Sequence, residues 1–98
     1  STPETVCHVM QEYAEQNQGK SVQEMIDLWN GISERNDCLV DSWAPSPNDK
    51  QPFANKRRSE IKWGDKSVWV TRGWTEEIFQ TFIRNAKEQL GVIIEKVE

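Results

Sequence analysis

A small α+β domain is the fold class this sequence predicts, and three observations predict it. Two apolar stripes with helical spacing open the chain, a run rich in β-branched and aromatic residues around a turn signal follows, and a third helical stripe comes after that. At 98 residues the chain has the size of one domain with one core, so residues 1 to 98 are taken as a single unit. The hydrophobic fraction is only 36%, and five tryptophans supply core volume through large side chains rather than many small ones.

The first helix is predicted from Pro3, which suits a first helical position, and from Val6, Val9, Met10, Tyr13 and Ala14, which share one face; Gly19 is placed to end it. A second begins at once. Ser21 and Glu24 in SVQE have capping-box spacing, and Val22, Met25, Ile26, Trp29 and Ile32 continue the stripe until Gly31 weakens its end. With so short a link the two helices are expected to fold back on each other.

From about Asn36 to Asn55 the periodicity disappears and three prolines enter, which reads as a long connection with a turn of helix after Pro52. Trp43 is expected to pack back on the body. Ile61 to Trp63, Gly64-Asp65-Lys66 and Ser67 to Thr71 then read as a β-hairpin. Alternation puts Val68 and Val70 on one face and Trp69 and Thr71 on the other, so burial of the valines turns Trp69 outward. The last helix is predicted to start at Thr75, with Glu76 and Glu77 in its first turn and Ile78, Phe79, Phe82, Ile83, Ala86 and Leu90 as its buried stripe. Gly91 is a natural stop, and VIIEKV has the residues of a short final strand, with continued helix as the alternative. The order of helices followed by a hairpin resembles the layout of winged-helix domains, without residue motifs that identify a family.

Composition narrows the function. No run approaches the roughly 18 to 20 apolar residues of a membrane helix, and STPETVCHVM lacks the basic start and apolar stretch of a secretion signal, so an intracellular chain, cytoplasmic or nuclear, is expected. Cys7 and Cys38 are too few for a disulfide scaffold and read as reduced thiols, with a single bridge between them as the alternative; Cys7 and His8 are adjacent and so point about 100° apart on a helix. The five glycines are scattered, no serine sits in a nucleophile elbow, and one histidine cannot supply a multi-histidine metal site. A non-enzymatic protein without cofactor or metal is therefore expected.

Charge is the positive signal. The formal net charge is −4, yet residues 48 to 72 carry seven bases against three acids, while residues 1 to 47 carry eight acids against two bases. The stretch KRRSEIKWGDKSVWVTRGW joins that basic run to three tryptophans. Lysine and arginine neutralise phosphates and outward indoles stack on unpaired bases, so Lys56, Arg57, Arg58, Lys62, Lys66 and Arg72 are candidate contacts to DNA or RNA, with Trp63 or Trp69 as the stacking surface. The alternative is a regulatory or inhibitory protein-interaction module using the same tryptophan and arginine surface, since both residues are enriched at interface hot spots. A third reading makes the tryptophans core residues and the charges a solvated loop, cancelled by the acidic helices.

Overall fold

The computed structural model describes residues 1 to 43 and 57 to 95. Helix α1 (Thr2–Gln16) and helix α2 (Val22–Ser33) lead into a two-residue strand β1 (Leu39–Val40), then the hairpin strands β2 (Arg58–Trp63) and β3 (Lys66–Thr71), and finally helix α3 (Glu76–Leu90). The sheet is antiparallel, in the order β1-β3-β2. The α+β class is as predicted. This topology lends no support to the winged-helix layout.

The helix boundaries follow from their caps. Ser21 and Glu24 form the reciprocal capping box, Oγ of Ser21 accepting from the Glu24 amide and the Glu24 carboxylate accepting from that of Ser21. Thr75 caps α3 by accepting from the Ile78 amide, and Gly91 closes it in the left-handed conformation at φ +68°. Helix α1 stops sooner than Gly19 suggests, with Asn17 as its C-cap; the Asn17 side chain donates to the Tyr13 carbonyl and satisfies one of the exposed helix-end acceptors.

Between Trp63 and Lys66 the turn has two residues rather than three. Gly64 takes φ +62° while Asp65 keeps a negative φ, the sign pattern of a type II′ turn, which matches strand twist better than a longer link. Two further corrections concern strands. The stretch read as featureless connection contains β1, and of VIIEKV, offered as a final strand or more helix, residues 92 to 95 form neither, Gly91 having ended α3, while the rest lies outside the described residues. The proposed turn after Pro52 lies outside the described residues.

The core lies between the helices and one face of the sheet. Trp29, fully buried, stacks on Phe82 of α3 at 5.6 Å and meets Tyr13 of α1 edge-on at 5.4 Å, so one indole joins all three helices. Ile61, Trp63, Val68 and Val70 supply the sheet side. Both sheet edges are gripped by helix amides. Gln11 of α1 accepts from the Lys62 amide at 3.0 Å and donates to the Lys62 carbonyl at 3.1 Å; Asn30 of α2 accepts from the Leu39 amide at 2.8 Å and donates back to the Leu39 carbonyl at 3.4 Å. Each amide stands in for the strand that is missing there.

Candidate nucleic-acid interface

Strand parity decides which predicted residues share a surface. In β2, Ser59, Ile61 and Trp63 point to the core, so Arg58, Glu60 and Lys62 point outward; in β3, Ser67 and Trp69 join them, with Glu60 directly opposite Trp69 and Lys62 opposite Ser67. Val40 of β1 lies opposite Trp69 on its other side. The Trp69 indole is partly exposed on this outer face and meets Trp43 at 5.7 Å with the rings tilted by 51°. Trp43 thus packs back as expected, though on Trp69 rather than into the core.

The predicted set is split by this arrangement. Arg58 and Lys62 share the outer face with Trp69, while Lys66, opposite Trp63 and so of core-face parity, is exposed at the hairpin tip and reaches the hollow beside Trp69. Trp63 is only 7% exposed, and its indole N–H donates to the Lys20 carbonyl at 3.0 Å, so of the two candidate stacking indoles only Trp69 reaches the surface. Arg72 points to the inner side, donating to Ser59 Oγ at 2.8 Å and approaching the Glu4 carboxylate at 4.0 Å. Arg57 sits at the surface just before β2, and Lys56 lies outside the described residues. The burial of Trp63 was readable from the sequence, because it stands two residues from Ile61 and must share its face.

Three residues of this surface escaped sequence reasoning. Glu60 sits between Arg58 and Lys62, accepting from the Ser67 hydroxyl and from Lys62 Nζ at 3.3 Å. The Ser67 hydrogen bond first, and Lys62 second, hold its carboxyl below the usual range, so it is ionised at neutral pH. Asp41 and Ser42 join Trp43, Trp69 and Lys66 around an open hollow of about 520 Å³. The outer face is therefore mixed in sign. Lys66 makes no ion pair among the described residues, and Arg58 turns one guanidinium nitrogen to the Trp69 carbonyl at 3.3 Å. From the amino-terminal half, the Glu4 carboxylate comes within 4.0 Å of Arg72.

Other candidate chemistry is sparse among the described residues. No three of His, Cys, Asp and Glu converge as metal ligands, and no helix is long and apolar enough to cross a membrane. Cys7 packs toward Ser59 while His8 stands outside near Glu12 at 3.6 Å, so the neighbours in sequence point apart. Cys38 is buried beside Ser33, and burial pushes its thiol up to about 11. Compared with known proteins, the chain matches no family model, no curated protein and no solved structure.

Proposed function

We propose that the outer face of the hairpin binds single-stranded nucleic acid, with Trp69 as the stacking platform and Lys62, Lys66 and Arg58 as the phosphate contacts. The observation that carries this reading is a partly exposed Trp69, braced by Trp43, on the same face as Arg58 and Lys62 and beside Lys66 at the tip. A base has a π-face on either side and stacks on an indole at about 1 to 3 kcal/mol, while each lysine that neutralises a phosphate releases a counterion. Bases inside a duplex are already stacked, so the preference is for unpaired strands. Glu60 opposes phosphate close to the platform, which keeps affinity modest and makes the contact dependent on Lys62 staying paired with it.

Titration with an unstructured DNA oligonucleotide tests this. Tryptophan emission should be quenched in a salt-sensitive way, and Trp69→Ala should remove the quench while the four remaining indoles still report a folded core. Lys62→Ala and Lys66→Ala should each reduce the slope of log K against log salt by about 0.7. Wild-type protein that shows no salt-sensitive binding would overturn the proposal in favour of a protein partner on the same aromatic surface.

A further inference from the structure

An edge strand offers a row of unpaired N–H and C=O groups, and this sheet treats its two edges differently. At β1 the outward backbone belongs to Leu39, and Asn30 takes both of its groups. At β2 the hydrogen-bonded positions toward β3 alternate with positions that point away. Arg72 donates to the Arg57 carbonyl, which fixes the phase: Arg57, Ser59, Ile61 and Trp63 face β3, while Arg58, Glu60 and Lys62 face the free edge. The grip of Gln11 on both Lys62 groups agrees with that phase. Among the described residues the edge backbone at Arg58 and Glu60 has no partner.

We propose that this open edge pairs with the same edge of a second copy, antiparallel, with Arg58 opposite Glu60 of the other copy and Glu60 opposite its Arg58. The register follows by elimination. Setting Glu60 against its own counterpart puts like charges together and brings Arg58 onto Lys62, whose edge Gln11 already occupies. Setting Arg58 against its own counterpart also opposes like charges. Only the Arg58–Glu60 register uses both open positions of both copies, and it places opposite charges directly across the new ladder twice.

The side chains are equipped for it. Ser67 and Lys62 both bind Glu60 at Oε2, which leaves Oε1, and Arg58 commits one nitrogen to Trp69, which leaves the rest of its fork. The twofold axis would stand normal to the sheet, so the two outer faces continue into one another. Both Trp43–Trp69 pairs would then share one surface.

Sedimentation velocity from micromolar to millimolar protein gives the test. Wild type should shift from monomer to dimer, and amide exchange at Arg58 and Glu60 should slow with concentration. Glu60→Arg and Arg58→Glu should each weaken the dimer by about tenfold or more, because each sets like charges across both pairs. Mixing the two variants should restore it, since one then offers two arginines to the other's two glutamates. Circular dichroism of each variant confirms that it is folded. A wild type that stays monomeric throughout, or a mixture no more dimeric than its components, overturns the proposal.

Discussion

Glu34 ends α2 in the left-handed conformation, at φ 56° and ψ 38°, where a side chain is strained and glycine is not. Its amide still serves the helix end, and its carboxylate accepts from Asn85 Nδ2 at 3.0 Å on the surface. Relief of strain outweighs one exposed hydrogen bond, so Glu34→Gly should stabilise the fold by about 0.5 kcal/mol in urea denaturation. Cys38 makes the second residue-level prediction. Burial raises its thiol from the ordinary 9.0 to about 11, so the unfolded chain ionises first as pH rises. The stability this thiol contributes is complete below pH 9.0 and is lost between there and about 11. Wild type should lose on the order of 2 kcal/mol more than Cys38→Ala across that window, measured as the difference in slope of stability against pH.

Caps and strand alternation were legible in single residues: the Ser21–Glu24 box, Thr75, Gly91 and the outward turn of Trp69 all follow from local chemistry. What was not legible depends on partners far along the chain. Strand β1 has two residues and no periodicity of its own; it exists because β3 pairs with it and Asn30 holds its far edge. Gln11 reaches Lys62 across 51 positions, a contact no local pattern announces. The mixed sign of the outer face was hidden for the same reason, since Glu60 acquires its place between two cations only once β2 is a strand. Removing either edge amide should therefore act on the element it holds. Gln11→Ala should cost about 1 to 2 kcal/mol and speed amide exchange at Lys62. Asn30→Asp should cost at least as much as Asn30→Ala, because a carboxylate keeps the Leu39 bond and turns acceptors toward the carbonyls of Asn36 and Leu39.

Across the whole molecule, the residues that hold the fold and most of those proposed to contact nucleic acid occupy opposite faces of one sheet, Lys66 standing at its tip. Trp29 and Phe82 join the three helices beneath it, while Lys62, Lys66 and Trp69 lie on or beside its outer face, where little of the core depends on their charge. Trp29 also carries the one buried side-chain donor without a partner among the described residues, its indole N–H. Trp29→Phe would remove that uncompensated group as well as packing volume, so its cost should fall below the usual range for truncating a large core aromatic. The expected loss is about 1 to 3 kcal/mol for Trp29→Phe against about 3 to 5 for Phe82→Ala, which in thermal melts means roughly 4 to 8 °C for each kcal/mol at this chain size. Lys62→Ala and Lys66→Ala should leave the melting temperature nearly unchanged, because exposed charges contribute about 0 to 1 kcal/mol. If neutralising those lysines lowered the melt as far as Trp29→Phe does, the sheet's outer face would be part of the fold's support, and the separation of binding from stability would fail.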